Sequence, residues 1–184
     1  MNLTKIVRNF YRSIIWQIWS QRLNELGKGS RFEPQIIWHN PHGISIGSNV
    51  VIKSRCRIEA IRMRNFSGVR LSIGDNTILQ QGCQVIAADR VTIGNNVLVA
   101  GKVLITDHDH LYDHPTKPVA LLRDLRTDPV TIEDGCWLGY GCAVLKGVTI
   151  GERSVIGSNA VVTHDIPPYS VAVGIPARVV KKIK

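Results

Sequence analysis

Aliphatic residues recur every six positions along most of this chain. Ile46, Ile52 and Ile58 open the series, followed by Ile73, Leu79 and Val85, then Ile93, Val99 and Ile105. The longest run is unbroken, from Ile132 through Leu138, Val144, Ile150 and Ile156 to Val162. Four residues after most of these comes a second, usually small residue: Val50, Cys56, Thr77, Cys83, Val97, Val103, Cys136, Cys142, Val148, Ser154 and Ala160. A period of six fits neither the 3.6-residue helical repeat nor a plain two-residue alternation. Self-similarity at a fixed period is the mark of a repeat architecture. Six residues per side and three sides per turn make a coil of eighteen, with one aliphatic residue turned inward on each side. The fifteen units counted here therefore predict about five coils. Stacked at strand spacing, they stand ~24 Å tall. The expected fold is an all-β solenoid with a narrow core ladder of Ile, Val and Leu, each coil stabilised by its neighbours. Its flat parallel-sheet faces call for self-association.

The first thirty residues differ. Ile6, Phe10, Ile14 with Ile15, and Ile18 with Trp19 recur at helical spacing, continued by Leu23 and Leu26, while Lys5, Arg8, Arg12 and Arg22 carry charge. Gly27 and Gly29 are a plausible stop. The apolar stretch is too short to span a membrane, and no small-residue cleavage site follows it, against a signal peptide. Two uses remain open. The helix caps an open end or side of the solenoid, or it lies in a membrane interface with Trp16 and Trp19 at the headgroups and its basic residues facing anionic lipid.

This gives an N-terminal helix and lead-in over 1–43, with Pro34 and Pro41 in extended or turning backbone, and a repeat domain over 44–184. The repeat skips at 64–72 and 86–92, and breaks between Ile105 and Ile132. The break, loop 106–131, reads TDHDHLYDHPTKPVALLRDLRTDPVT: polar, rich in His and Asp, and punctuated by Pro115, Pro118 and Pro129. Loops thrown out from a rigid scaffold tend to carry function. After Val162 the chain is expected to leave the prism at Pro167 and Pro168 and finish as a basic tail with Arg178, Lys181, Lys182 and Lys184.

The formal net charge of +9 points to an anionic partner such as a polyphosphate cofactor, an acidic glycan or an anionic lipid surface. No motif that reads RNA or DNA is present, so nucleic acid is not an expected partner. All four cysteines fall on the small inward position of the repeat, which makes them buried thiols and not a disulfide set or a zinc site. A reducing cytoplasm is compatible with that usage.

The repeats, the motif ITDHDH opening the loop, the stretch GCWLGYGCAVLKGVTIGERSVIGSNAVVTHDIPP and the close VAVGIPARVVKK resemble the hexapeptide-repeat acyltransferases. The similarity runs over about 44–184 and is greatest to the galactoside/maltose O-acetyltransferase branch and its relatives that O-acetylate bacterial O-antigen and capsule sugars. The resemblance implies a left-handed parallel β-helix, a homotrimer with active sites in the clefts between neighbouring prisms, acetyl-CoA as co-substrate and a loop histidine as base. It implies a sugar acceptor, either a surface polysaccharide or its lipid-linked precursor, and a cytoplasmic protein with peripheral contact to the inner membrane through 1–26 if the helix is interfacial.

Acetyl transfer from a thioester to a sugar hydroxyl needs positioning and one proton acceptor, and histidine suits that task because its ordinary pKa of ~6.5 lies near working pH. A backbone N–H at a coil corner can meet the oxyanion. Among six histidines, His108 matches the family position, and Asp107, Asp109, His110 or a backbone carbonyl could assist it. His110 and His114 lie further out, His39 and His42 precede the repeat, and His164 follows it. The resemblance assigns Trp137, Ser158, Thr163, Arg178 and Lys181 to coenzyme A, and Gln84 to the acceptor. No metal is expected, because the loop histidines crowd one segment and the preceding coil supplies none. The alternatives are an amino-sugar N-acetyltransferase, disfavoured by the short stretch before the repeats, and a non-catalytic scaffold, which has no use for the histidine loop or the GIPAR close.

Overall fold

In the computed structural model, which describes residues 14–62 and 68–183, the hexads close into a three-sided prism. Coil 1 comprises β1 (Glu25–Leu26), β2 (Arg31–Phe32) and β3 (Ile37–His39). Coil 2 comprises β4 (Ile44–Ile46), β5 (Val51–Ile52) and β6 (Arg57–Ala60), and coil 3 comprises β7 (Leu71–Ile73), β8 (Ile78–Leu79) and β9 (Gln84–Ala87). Coil 4 is β10 (Val91–Ile93), β11 (Leu98–Val99) and β12 (Leu104–Thr106), followed by a hairpin of β13 (His108–His110) and β14 (Leu125–Thr127). Coil 5 is β15 (Val130–Ile132), β16 (Trp137–Leu138) and β17 (Ala143–Val144), and coil 6 is β18 (Thr149–Ile150), β19 (Val155–Ile156) and β20 (Val161–Val162). First, second and third strands of each coil stack into separate parallel sheets, here faces A, B and C.

The register is that of the hexads. Ile46, Ile73, Ile93, Ile132 and Ile150 form one column on face A. Ile52, Leu79, Val99, Leu138 and Ile156 form another on face B. Ile58, Val85, Ile105, Val144 and Val162 complete the core on face C. All fifteen are at most 2% exposed, and the small residues that follow them are buried too. The four cysteines sit among them as free thiols, and burial pushes Cys136 up to about 11 and Cys142 up to about 12.

Two expectations about the ends are corrected. The prism has six coils, because 25–39, expected to be the end of the helix and the lead-in after it, forms coil 1. Leu26, Phe32 and Trp38 stand six apart and register on Ile46, Ile52 and Ile58. The expected helix is described over 14–20 only; Leu23 lies in the turn after it and Leu26 in β1, while Ile6 and Phe10 are outside the described residues. At the other end, the segment after Val162 stays on the prism. Ile166 bridges to Ile150, β21 (Ser170–Val173) adds to face B, and β22 (Arg178–Lys182) folds back antiparallel upon it.

Aromatic rings close the N-terminal end. Trp19 from the 14–20 helix lies 4.6 Å from Trp38, centroid to centroid, and Phe32 meets Trp38 edge-on at 5.2 Å. An end coil has no neighbour on its outer side, and wide rings cover more of that surface than an aliphatic does.

Connection lengths are unequal. Each of the six A-to-B and six B-to-C connections has four residues between strands, with a left-handed residue such as Asn49, Asn76, Arg55 or Lys102 making the corner. Asparagine and glycine adopt that conformation at least cost. The C-to-A connections vary, with stretches at 61–70, 88–90 and 107–129. Among the connections between the described strands, the variation in length falls on one edge.

Removing the ring that the end of the prism rests on has a measurable consequence. Trp38→Ala is expected to lower unfolding free energy by roughly 2 kcal/mol, less than for a fully buried ring. A Trp19/Trp38 double-mutant cycle in denaturant should return ~0.5–1.5 kcal/mol of coupling. Additive effects would mean that the helix does not cap the prism.

Candidate active site at the edge between faces C and A

The long loop leaves the prism at the end of β12 and returns at β15. Its neck is closed by the Asp128 N–H donating to Asp107 O at 2.8 Å, and β13 pairs β14 antiparallel with His108 opposite Thr127. This puts His108 on a rigid strand one step from the prism wall.

Asp107 is wholly buried, and its carboxylate is satisfied on every side. It accepts from Ala88 N–H at 2.8 Å, from Asp89 N–H at 2.7 Å and from His108 Nδ1 at 3.0 Å. Burial alone raises its pKa, but the hydrogen bonds from His108 and the two amides outweigh burial and hold the carboxyl below its ordinary value. An ionised Asp107 can only accept, so Nδ1 of His108 carries a hydrogen, and in the neutral ring the lone pair is then on Nε2. Thr106 Oγ1 lies 3.1 Å from the same Nδ1. The His108 side chain is 12% exposed, so the ring is held and still open to solvent. A ring so held can act as an oriented general base.

The other expected assistants divide. Asp109 faces Lys146 Nζ at 3.5 Å, and His110 is exposed. His114 accepts at Nδ1 from the amides of Thr116 and Lys117 further along the loop. His39, His42 and His164 are exposed elsewhere. Among the described residues, no three His, Cys, Asp or Glu side chains cluster as a metal site.

The residues expected around coenzyme A are distributed over the prism. Trp137 stands outward on face B, 50% exposed, with exposed Leu98 beside it in register. Ser158 is exposed at the B–C corner of coil 6, and Thr163 follows β20 with its Oγ1 2.8 Å from His164 Nδ1. Arg178 and Lys181 are exposed on β22, at the end of face B. Gln84 projects from face C, between Arg57 and Leu104. Within one chain, then, His108 and Thr163 share the C–A edge, while Trp137, Arg178 and Lys181 are on another face. The exposed ring and aliphatics of face B suit a pantetheine arm, and the basic strand beyond them suits its phosphates.

Sequence reasoning missed Lys146, which faces Asp109, and three groups that contact the Asp107–His108 pair, namely Thr106 and the Ala88 and Asp89 amides. The skip at 86–92 marks the last two, since a corner shortened to three residues presents consecutive N–H groups to the coil above. Arg70 supports that corner, its guanidinium donating to Ala88 O from a buried position.

The buried carboxylate makes a pH-dependent contribution to stability. Asp107→Asn is expected to cost ~1–3 kcal/mol at pH 7, the size of effect when buried amides lose a charged acceptor. Because the folded pKa is depressed, that advantage of the wild type is present above the ordinary pKa of about 4 and lost as pH falls through the folded value. Denaturant unfolding at pH 7 and pH 3 checks this; a gap that stays constant between them overturns the assignment.

Comparison with known proteins agrees with this architecture. Residues 129–164 match the bacterial transferase hexapeptide (six repeats) family. The chain is 32% identical over 149 residues to the Escherichia coli K12 protein WbbJ, whose name describes a lipopolysaccharide biosynthesis O-acetyl transferase, covering 78% of this chain and 74% of that one. It is 36% identical over 116 residues to the galactoside O-acetyltransferase of E. coli K12, covering 63% of this chain and 56% of that protein. The chain thus spans about half the length of the first curated relatives it matches. A galactoside acetyltransferase structure in complex with coenzyme A superposes with a TM-score of 0.65 at 27% identity, over 91% of this chain and 69% of that one. The prism is accordingly a left-handed parallel β-helix, and the chain belongs to the bacterial hexapeptide-repeat transferase family.

Proposed function

We propose that this protein is an acetyl-CoA-dependent O-acetyltransferase acting on a sugar hydroxyl of a bacterial surface polysaccharide or its lipid-linked precursor. The observation that carries the reading is the buried Asp107 carboxylate, which fixes His108 in the tautomer a base requires. The sugar acceptor is supported by the relatives named for galactoside and lipopolysaccharide O-acetylation, and the coenzyme by the galactoside acetyltransferase structure in complex with coenzyme A.

In this reading His108 Nε2 takes the proton of the acceptor hydroxyl as its oxygen attacks the thioester carbonyl. Asp107 stabilises the imidazolium that forms without itself taking the proton. The imidazolium then returns a proton to the departing thiolate, so no acyl-enzyme forms. Trp137 with Leu98 lines the pantetheine arm, Ser158 and Thr163 bond its amides, and Arg178 and Lys181 hold its phosphates. Gln84 contacts the acceptor.

These groups occupy different faces of one prism, so a site needs two chains. A homotrimer with a site in each cleft meets that need. The setting that fits this chemistry is the cytoplasm, where acetyl-CoA is made. No helix among the described residues is long and apolar enough to cross a membrane. Membrane contact through 1–26 draws no support from the described part of that segment, because Trp19, expected at headgroup level, packs on Trp38.

His108→Ala should lower kcat by ~10²–10⁴-fold with little change in acetyl-CoA affinity, the usual size of a general-base contribution. Near-normal turnover in that variant, with His110→Ala inactive, would move the role to His110. Light scattering should find a trimer, and an active monomer would refute the shared site. Reversing the charge of Arg178 or Lys181 should raise KM for acetyl-CoA and leave kcat at saturation less affected; an unchanged KM removes both from the phosphate site.

A further inference from the structure

Below the histidine loop, on the same C–A edge, the wall is indented. A cavity of about 210 Å³ opens between the corners of coils 1, 2 and 3, lined by Asn40, His42, Ala60, Ile61, Arg62 and Arg70 among others. Its charged and titratable lining residues are His42, Arg62 and Arg70, and no carboxylate is among the described residues that line it. Asn40 fixes the wall by donating to Ala60 O at 2.7 Å. Arg62 and His42 are exposed, whereas Arg70 is only 5% exposed and held by its bond to Ala88 O. Asp89 and Asp107 act on Arg70 from the coil-3 and coil-4 side, partly offsetting the effect of its burial. A guanidinium held in place, with a second one free to close over a guest, is a pre-organised anion site.

The cavity is near the base. Coils stack ~4.8 Å apart, so the corner of coil 2 lies roughly 10 Å below that of coil 4, about the span of one or two sugar residues. The two sites are also joined through the backbone: Arg70 holds the carbonyl of Ala88, and the Ala88 N–H holds Asp107.

We infer that this cavity is an acceptor subsite for an anionic group, a phosphate or a carboxylate, carried on the sugar within one or two residues of the hydroxyl that reacts. The inference rests on the acetyltransferase reading for the identity of its ligand as acceptor, but the binding itself can be measured without turnover. Arg62 then selects charged acceptors over neutral ones, and the net charge of +9 gains a specific use at this edge.

Calorimetric titration of the full chain with galactose 1-phosphate, galacturonate and galactose tests it. At least one charged sugar should bind about tenfold or more tightly than galactose, since hydrogen bonds to a charged group contribute that much. The preference should weaken with salt. Which sugar gains tells phosphate from carboxylate. Arg62→Ala should remove most of the preference, and Lys28→Ala, which deletes the same charge at the A–B corner of coil 1, should keep it. Equal binding of all three sugars overturns the subsite, as does equal loss in the two variants. Displacement of the charged sugar by acetyl-CoA assigns the cavity to the donor and also overturns it. Arg62-dependent binding with no acetyl transfer to any sugar upholds the subsite and removes the acetyltransferase reading. Transfer to galactose with no charged preference does the reverse.

Discussion

Every feature of this protein depends on one constraint, that a side of six residues presents a single side chain inward at a fixed height. Three such sides close a turn, and the parallel hydrogen bonds between turns keep Ile46 under Ile73 and Ile73 under Ile93. An extra residue at an A–B or B–C corner would put the rest of its coil out of step with both neighbours and turn an aliphatic outward. The uniform four-residue corners on those two edges follow from this. Variation is confined to the third edge, where a coil has finished its three sides and the chain can leave before starting the next. The histidine loop, the Ala88–Asp89 corner and the basic cavity all lie there, so the regularity of two edges leaves the third to carry the candidate base and its supports.

A buried aspartate is the expensive element of that edge. Removing a carboxylate from water costs several kcal/mol unless its oxygens are bonded elsewhere. At Asp107 the cost is offset by two amides that point at it only because the coil beneath turns in three residues, 88–90. Those amides serve the site without meeting any ligand. The same logic runs one coil lower, where Arg70 holds the carbonyl of Ala88. Orientation of His108 is thus built up through three levels of the stack, each one fixed by the hydrogen bonds of the next. A solenoid lends itself to this, since residues twenty apart in sequence are neighbours in space.

The repeat was legible because its inward residues are aliphatic and their spacing is kept for three or more units at a time. Coil 1 obeys the same spacing, at Leu26, Phe32 and Trp38, yet two of its three inward positions are aromatic and it was read as lead-in. The physical reason is that an end coil is open on one side and accepts rings that the interior of the prism would not. The helical spacing holds from Ile14 to Trp19 among the described residues and is coincidental at Leu23 and Leu26, which are buried in a turn and half-buried in a strand. At the site, His108 could be chosen from its motif, but its partner could not be separated from Asp109, which differs only in the direction it faces. The change of strand decides it: position 107 keeps the inward side of Ile105 and is buried, whereas 109 belongs to the hairpin strand β13 and faces Lys146. The amides of Ala88 and Asp89 have no residue-type signal at all, and only the shortened corner betrays them.

The three faces are not alike, and their difference bears on how the prisms meet. Face A turns Ser45, Ser72, Thr92, Thr131 and Thr149 outward, a column that water solvates well. Face B turns Val51, Ile78, Leu98, Trp137 and Val155 outward, and face C adds Leu104, Ala143 and Val161. An apolar column of that length on a flat sheet favours burial against another copy, whereas the hydroxyl column on face A has less to gain. Association through faces B and C leaves the C–A edge at the margin of the contact, beside a neighbour and still open to solvent along face A. That is where His108 stands. In the function proposed above, a base at such a margin receives a thioester laid along the neighbour's face B from one direction and a sugar from the other, and the inferred anionic subsite lies on the sugar's side.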